Sequence, residues 1–272
     1  MSPNIVFIGG GNMAGAIIRG LLHAGCAAQE MAVVEPVPAQ RERLQAELGV
    51  TSQAVPDVTL AGADVVVWAV KPQSFEAAAA ACGGQLHRAL HLSVMAGVRS
   101  QAIARASGSA RVVRAMPNTP ALMGEGIGIA GLFAAETVSS AERQKVEALL
   151  APTGALVWVE READLDAVTA LSGSGPAYFF YLVEAMTRAG VEMGLDVAQA
   201  RQLSLATCRG AAMQALASGE DPSLLRERVT SKGGTTEAAV RSLEQDGVAD
   251  SMRRAVLAAQ LRARQLGDEF SR

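Results

Sequence analysis

The stretch NIVFIGGGNMAGA at residues 4–16 decides the fold of this 272-residue chain. Four apolar residues run into Gly9-Gly10-Gly11, and apolar residues then recur at helical spacing, which predicts a strand, a tight turn and a helix. Gly9, Gly11 and Ala14 fit G-x-G-x-x-(G/A), where the first glycine makes the turn and the second lets a pyrophosphate approach the backbone. Free N–H groups and the positive end of the helix dipole face such phosphates, so this stretch predicts dinucleotide binding.

Composition excludes several classes of function. The formal net charge of −3 provides no basic surface for nucleic acid, so no nucleic-acid partner is expected. The three cysteines are odd in number and far apart, and they match neither a disulfide framework nor a metal site. No signal-peptide pattern precedes the first strand and no apolar run approaches the length of a membrane span, so we expect a cytoplasmic protein without a membrane partner.

Strands and helices alternate through the first half of the chain, which predicts an α/β fold with a doubly wound sheet of the Rossmann type. Two prolines in MPNTP at residues 116–120 predict a fixed loop at the carboxyl edge of that sheet, because proline fits neither a helix interior nor a central strand. The expected strands after the first lie at 31–35, near 50, and at 64–70, 90–95, 111–115, 126–131 and 155–159, with helices at 39–47, near 58, and at 100–106 and 140–150.

The strand signal ends beyond Glu160, and helical patterns follow at 177–193, 197–217, 222–229, 235–245 and 250–266. We therefore expect two domains: a dinucleotide-binding domain over residues 1–162 and an all-α domain over residues 163–272. The helices carry long aliphatic faces, and so much apolar surface is more often buried against another subunit than left in water. The pattern predicts a dimer built on the helical domain.

Two charged residues near predicted strand ends are candidates for cofactor contacts. Glu35 lies 24 residues after Gly11, close to where a dinucleotide fold places the acid that binds the adenine ribose. A carboxylate there favours NADH, because it repels the 2′-phosphate of NADPH, but Arg41 and Arg43 follow closely and can serve that phosphate. Lys71 follows the strand at 64–70 and is a candidate neighbour of the cofactor.

Two glycine-rich segments interrupt the helical half, LSGSGP at 171–176 and TSKGGTT at 230–236. Both have the composition of a helix start, with serine or threonine as the N-cap. Capping explains the first segment as well as a functional role does. The second has more glycine and hydroxyl groups than a cap needs, and bare N–H groups at a helix start bind a small anion such as a carboxylate. Thr236 or Ser231 can then hydrogen-bond a heteroatom beside that anion.

Five motifs together resemble pyrroline-5-carboxylate reductase. They are IGGGNMAGAI at 8–17, AVKPQ at 69–73, RAMPNTPA at 114–121, LSGSGPAY at 171–178 and TSKGGTT at 230–236. They occur in the family's order and span the chain. The resemblance implies a Rossmann domain followed by a helical dimerisation domain, a homodimer that can assemble further into a decamer, and reduction of 1-pyrroline-5-carboxylate to L-proline with NADPH or NADH.

The resemblance also implies a role for each matching residue. The pyrophosphate is held by Gly9, Gly10, Gly11, Asn12 and Met13. Near the rest of the cofactor lie Ala69, Val70, Lys71 and Pro72, with Ala96, Gly97 and Asn118 beside the nicotinamide. The substrate carboxylate is bound by backbone groups of Ser231, Gly233, Gly234 and Thr235. The hydroxyl of Thr236 faces the ring nitrogen and is the expected catalytic group.

The chain departs from the family pattern at two positions. Lys232 stands where the family usually has proline, which loosens the loop and adds a cation, and Pro56 stands where an asparagine often contacts the adenosine. Two rival functions are a β-hydroxyacid dehydrogenase and a non-catalytic dinucleotide sensor. The first needs a lysine on the helix after the S-G-rich segment, where this chain has PAYFFY at 176–181. No metal is expected, and we interpret the three histidines as having no role in catalysis.

Overall fold

Eight β-strands form one sheet in the computed structural model of this chain, which describes residues 4–270 except the side chain of Thr59. The spatial order of the strands is β3-β2-β1-β4-β5-β6-β7-β8. The first six are mutually parallel and have the order of a doubly wound dinucleotide-binding sheet, which confirms the predicted fold class. The strands are β1 (Ile5–Ile8), β2 (Met31–Val34), β3 (Thr51–Gln53), β4 (Val65–Trp68), β5 (Leu90–Ser93), β6 (Val112–Pro117), β7 (Gly128–Ala134) and β8 (Gly154–Trp158).

Strand β7 runs antiparallel to β6, and β8 runs parallel to β7. The prediction of a loop over all of 116–120 is wrong for its first two residues, because Met116 and Pro117 are the last residues of β6 and pair with Gly131 and Ala130. The other neighbour of β6, strand β5, pairs with it only as far as Arg114. Pro117 therefore lies where β6 has a partner on one side, and its missing N–H costs no ladder bond on the other.

Helices cover both faces of the sheet. Along β1 the side chains alternate, so that Phe7 belongs to one buried cluster and Val6 and Ile8 to the other. The predicted helix near residue 58 is only a short 3₁₀ turn, Val58–Gly62. The sequence did not predict the helix Phe75–Cys82, because its five consecutive alanines show no apolar period. The helices of this half are α1 (Asn12–His23), α2 (Pro38–Leu48), α3 (Phe75–Cys82), α4 (Ser100–Ser107) and α5 (Ser140–Leu150).

The second half is helical, as predicted. Residues 171–173 do not start a new helix: they form the end of a π-helical turn, Thr169–Gly173, that leads directly into the next helix. The turn seats Gly173 against Met116, since a Cβ on Gly173 would come within 2.8 Å of the methionine Cε. The helices are α6 (Asp164–Val168), α7 (Gly175–Glu192), α8 (Val197–Ser218), α9 (Pro222–Arg228), α10 (Thr235–Gln245) and α11 (Val248–Glu269).

The chain divides by packing into two compact units. The first comprises Met1–Ser174 with Ala259–Arg272, and the second comprises Gly175–Ala258. The last turns of α11 therefore belong to the unit that contains the sheet. The predicted domain boundary after residue 162 stays a prediction.

His91 lies in β5 and is fully buried. Its Nδ1 accepts a hydrogen bond from the Trp68 indole N–H at 2.9 Å, so the ring is neutral and its Nε2 donates to the Leu86 carbonyl at 3.1 Å. Burial lowers the pKa of His91 to about 4, a shift that the Leu86 carbonyl opposes and the positive charge of Arg111 increases. The neutral imidazole is thus a packed residue of the core.

We expect His91 to make the protein less stable in mild acid. Its pKa is about 6.5 in the unfolded chain and about 4 in the fold, so below pH 6.5 the unfolded state takes up a proton that the native state refuses. The His91 contribution is complete above pH 6.5 and is lost as the pH falls towards 4. Between pH 7 and pH 5 the free energy of unfolding should fall by about 2 kcal/mol from this group.

Urea unfolding of the wild type and of His91→Gln at pH 7, 6 and 5 measures this effect. We expect His91→Gln to be less stable than the wild type at every pH, but its free energy of unfolding should not fall by this amount between pH 7 and pH 5. His87→Gln changes an exposed ring and should keep the pH dependence of the wild type. Equal slopes for the wild type and His91→Gln would contradict the assignment.

Candidate active site

The predicted glycine turn joins β1 to α1. Gly9 has a φ of +98°, and a Cβ there would come within 2.7 Å of the Ala69 carbonyl oxygen, so glycine is required. Gly11 is the N-cap of α1 and provides no side-chain cap. Within residues 4–270, no atom outside Gly11 and its two chain neighbours lies within 4 Å of the position that its Cβ would take. Ala14 is fully buried against the sheet. The N–H groups at the start of α1 therefore have open space beside Gly11, which fits a dinucleotide pyrophosphate.

Glu35 lies directly beside this turn and is 8% exposed. Its Oε2 accepts a hydrogen bond from the Gly10 N–H at 2.8 Å, and its Oε1 accepts one from the Val37 N–H at 2.9 Å. The buried carboxylate thus has two backbone donors, which offset the cost of removing it from water. One N–H group of the turn is consequently occupied by Glu35 and not free for a phosphate.

The two arginines that follow Glu35 have different contacts. Arg41 donates through Nη1 to the carbonyl oxygens of Glu35 and Pro36, at 2.9 and 2.8 Å, so its guanidinium lies against the loop after β2. Arg43 donates through Nη1 to Asn12 Oδ1 at 3.4 Å, next to the glycine turn. Arg41 therefore contacts the backbone of Glu35, whereas Arg43 contacts the first residue of α1.

The other predicted cofactor residues follow neighbouring strands at the carboxyl edge of the sheet. Ala69, Val70, Lys71 and Pro72 come after β4, with Lys71 exposed as the residue before a 3₁₀ turn. The close approach of Gly9 to Ala69 and to the Val70 side chain joins this group to the glycine turn. Because β1, β4 and β5 are adjacent and parallel, the turn at Ala96 and Gly97 after β5 lies on the same edge.

Asn118 also lies at this edge, directly after β6, but its contacts are structural. Its Oδ1 accepts a hydrogen bond from the Ile129 N–H at 3.0 Å, and its own N–H donates to the Ile129 carbonyl at 3.2 Å. The carbonyl oxygen of the side chain thus ties the end of β6 to β7. The side-chain amide nitrogen of Asn118 takes no part in this tie and can donate to a ligand.

The second predicted site belongs to the other unit, at the start of α10. Gly234 is the N-cap of α10 and offers no side chain, and its N–H donates to the Ser231 carbonyl at 3.0 Å. Gly233 has a φ of +73°, as its place in the turn requires of glycine. Thr235 and Thr236 form the first turn, with Thr236 half-buried. The helix start thus presents backbone N–H groups together with the side chains of Ser231, Thr235 and Thr236, and Lys232 is exposed beside them. Their predicted role in substrate binding stays a prediction.

Glu237 was not among the predicted site residues. Its Oε2 accepts the Gly233 N–H at 2.7 Å, so a carboxylate of the chain itself occupies one donor of this helix start. A glutamate at the third helical position is a sequence signal for such a contact, since that is where a glutamate reaches back to the residues before a helix. The contact shows that this helix start accepts a carboxylate.

Two other titratable side chains have surroundings that assign them no chemistry. Glu184 lies on α7 and pairs with Arg188 at 3.8 Å, as a helix-surface carboxylate does. Burial raises the pKa of the Cys82 thiol to about 11, so that thiol is inert at neutral pH. Among residues 4–270 no group of three His, Cys, Asp or Glu side chains is placed to hold a metal ion. In the same part of the chain, no helix has both the length and the apolar character of a membrane span.

Two family descriptions match this chain. The one described as "Pyrroline-5-carboxylate reductase dimerisation" matches residues 162–266, and the one described as "NADP oxidoreductase coenzyme F420-dependent" matches residues 4–97. The first covers most of the helical half and the second covers the glycine turn, Glu35 and the turn at Ala96 and Gly97.

Curated relatives and solved structures agree with these matches. The chain is 41% identical to pyrroline-5-carboxylate reductase of Pseudomonas aeruginosa, over 99% of this chain and 98% of that protein. It is 40% identical to the Pasteurella multocida enzyme, over 99% of both. A solved Coxiella burnetii pyrroline-5-carboxylate reductase covers all of both chains with a TM-score of 0.87 at 35% identity. The Plasmodium falciparum enzyme with NADP bound covers 97% of this chain and 98% of its own at 26% identity, with a TM-score of 0.84. The chain belongs to the pyrroline-5-carboxylate reductase family.

Proposed function

We propose that this protein reduces the C=N bond of 1-pyrroline-5-carboxylate to give L-proline, with NADPH or NADH as the hydride donor. One observation carries the proposal: this member of the family has both an open glycine turn and a helix start at which a carboxylate is already bound. The first fits a dinucleotide pyrophosphate and the second fits the acid group of a small cyclic imino acid.

The residues of the first unit hold the cofactor in this proposal. The backbone N–H groups of Gly11, Asn12 and Met13 bind the pyrophosphate, since those of Gly9 and Gly10 already donate to Val34 and Glu35. Glu35 accepts from the ribose hydroxyls with the lone pairs that Gly10 and Val37 leave free. The residues after β4, β5 and β6 flank the nicotinamide, which supplies the hydride when it is bound. Their task is to orient the ring and to exclude water.

The residues of the second unit hold the substrate. Backbone N–H groups between Ser231 and Thr235 bind its carboxylate, with Glu237 releasing the Gly233 N–H as the substrate enters and Lys232 adding positive charge. An imine accepts hydride readily only when its nitrogen is protonated or strongly hydrogen-bonded, since negative charge must not accumulate there. The hydroxyl of Thr236 donates that hydrogen bond, oriented by its place in the first turn of α10.

The proposed assembly is a homodimer built on the helical domain, 163–272, with the Rossmann domain, 1–162, carrying the cofactor. Its support is the apolar surface of α7 and α8, where Phe179, Phe180, Tyr181, Leu203 and Leu216 are exposed in the single chain. Assembly of dimers into a decamer and a cytoplasmic location complete the proposal.

We expect sedimentation velocity at micromolar concentration to give a dimer or a multiple of it. Burial of the α7 and α8 side chains supplies the driving force. A folded monomer at that concentration would remove the assembly from the proposal.

The central experiment follows cofactor absorbance with the purified full chain. We expect oxidation of NADPH and of NADH with 1-pyrroline-5-carboxylate, and no reduction of NAD⁺ or NADP⁺ with 3-hydroxyisobutyrate. Because Glu35 is negatively charged at the ribose end, NADH should be at least competitive with NADPH in kcat/KM. Turnover with the hydroxyacid would favour the dehydrogenase, and binding of the dinucleotide without any turnover would favour the sensor.

Thr236→Ala tests the proposed hydrogen bond to the ring nitrogen. If the hydroxyl assists protonation of that nitrogen, kcat should fall by about 10²- to 10⁴-fold. Thr236→Ser keeps the hydroxyl and should keep most of the turnover, which controls for the change in packing. A normal kcat with only a raised KM in Thr236→Ala would assign the hydroxyl to binding instead.

A further inference from the structure

The last turns of α11 pack against the turn that follows β5, and both belong to the first unit. Gly97 has a φ of +79°, and a Cβ at this residue would lie 3.1 Å from Phe270 Cδ2 and 3.3 Å from the Leu266 carbonyl carbon. Phe270 also packs on the buried cluster beneath this turn, on the face of the sheet that carries α3 and α4. The end of α11 thus covers the turn at Ala96 and Gly97.

Arg99, two residues after Gly97, is fixed by an ion pair with Asp166. Its guanidinium makes two parallel hydrogen bonds to the Asp166 carboxylate, Nη1 to Oδ1 at 3.0 Å and Nη2 to Oδ2 at 2.8 Å. The two side chains are only 17% and 9% exposed. A paired, largely buried guanidinium of this kind has a fixed orientation, and turning it away breaks an ion pair that is costly to lose.

The residues next to Arg99 are held in the same way. The Ser100 hydroxyl donates to Glu162 Oε2 at 2.8 Å, and Arg114 Nη1 donates to Glu162 Oε1 at 2.9 Å. Burial raises the pKa of Glu162, but the Ser100 N–H and the charge of Arg114 outweigh it and keep the pKa below its usual value. The carboxylate therefore stays ionised at neutral pH and anchors the start of α4 to the segment before α6.

Gly267 touches the fixed guanidinium. A Cβ at Gly267 would come within 2.6 Å of Arg99 Cζ and 2.7 Å of its Nε. Glycine inside a helix is about 1 kcal/mol less favourable than alanine. Its presence in α11 is therefore explained by this close approach to Arg99 and not by helix propensity.

We propose that Gly267 and Phe270 are positioning residues: through Arg99 and Gly97 they fix the turn that flanks the nicotinamide. The proposal rests on the function proposed above, which places that ring beside Ala96 and Gly97. The pyrophosphate and adenosine ends are held elsewhere, at the ends of β1 and β2. Disturbing the end of α11 should therefore slow hydride transfer much more than it weakens cofactor binding.

Gly267→Ala is the first test. The new methyl group must displace the Arg99 guanidinium, and a small displacement of the reacting groups is expected to lower kcat by about 10- to 100-fold. The Kd for NADPH, from quenching of protein fluorescence, should change less than about threefold, since the phosphate contacts remain. Deuterium at the transferred position of the cofactor should give a larger isotope effect on kcat than in the wild type.

The matched control is Arg262→Ala, which removes an exposed side chain from the same helix. Its guanidinium bonds Gln265 and Glu269 at the surface. We expect this variant to keep the kcat, the Kd and the isotope effect of the wild type. A kcat for Gly267→Ala equal to that of Arg262→Ala would overturn the proposal.

A double-mutant cycle with Arg99→Ala tests whether the effect passes through the guanidinium. In the Arg99→Ala background there is no guanidinium to displace, so Gly267→Ala should change kcat by less than about twofold. Independent, multiplicative effects of the two substitutions on kcat would overturn the proposed route.

Phe270→Leu breaks no buried ion pair, so it remains a test if Arg99→Ala fails to fold. It should lower kcat and leave the Kd for NADPH unchanged. An unchanged kcat in that variant would remove Phe270 from the proposal.

The emission of bound NADPH separates this inference from the function on which it rests. Nicotinamide fluorescence depends on the surroundings of the ring and needs no turnover. If the wild type fails to reduce 1-pyrroline-5-carboxylate but its bound NADPH emission differs from that of Gly267→Ala, the function fails and the positioning stands. If the wild type turns over and Gly267→Ala matches it in both emission and kcat, the positioning fails and the function stands.

Discussion

The backbone of Gly9 passes so close to the Ala69 carbonyl that no side chain fits between them, and the arrangement of the cofactor site depends on this contact. It turns the chain sharply out of β1 and directs α1 so that its first N–H groups face the carboxyl edge of the sheet. It also brings the residues after β4 beside the glycine turn. A Cβ at position 9 would force apart the two strand ends on which the site is built.

Both glycine-containing turns hold a carboxylate of the protein itself. Glu35 accepts from Gly10, and Glu237 accepts from Gly233. The physical reason is the same in both cases, because N–H groups at a helix start lack partners within the helix and favour negative charge. The two contacts differ in burial: the Glu35 carboxylate is enclosed beside its turn, whereas the hydrogen bond to Glu237 is exposed to solvent.

The carboxyl edge of the sheet is held by charges as well as by packing. Arg99 and Arg114, each paired with a carboxylate from the segment before or within α6, connect the start of α4 and strand β6 to residues that lie beyond the last strand. Such pairs add little net stability compared with an apolar core, but they are costly to break once formed. They therefore give the turn after β5 a defined position, which the end of α11 completes.

The sequence by itself determined the glycine turn, the alternation of strands and helices, the helical second half and the five motifs that place the chain in its family. These features are local, since they depend on residue periodicity and on glycine and proline at particular positions. Only the tertiary structure decided that β7 runs antiparallel, that Pro117 ends a strand, that residues 171–173 form a π-helical turn, and that Asn118 is bonded to Ile129. It also paired Gly10 with Glu35 and Gly267 with Arg99. Each of these pairs joins residues far apart in the chain, and a contact of that kind leaves no periodic or compositional signal in a single sequence.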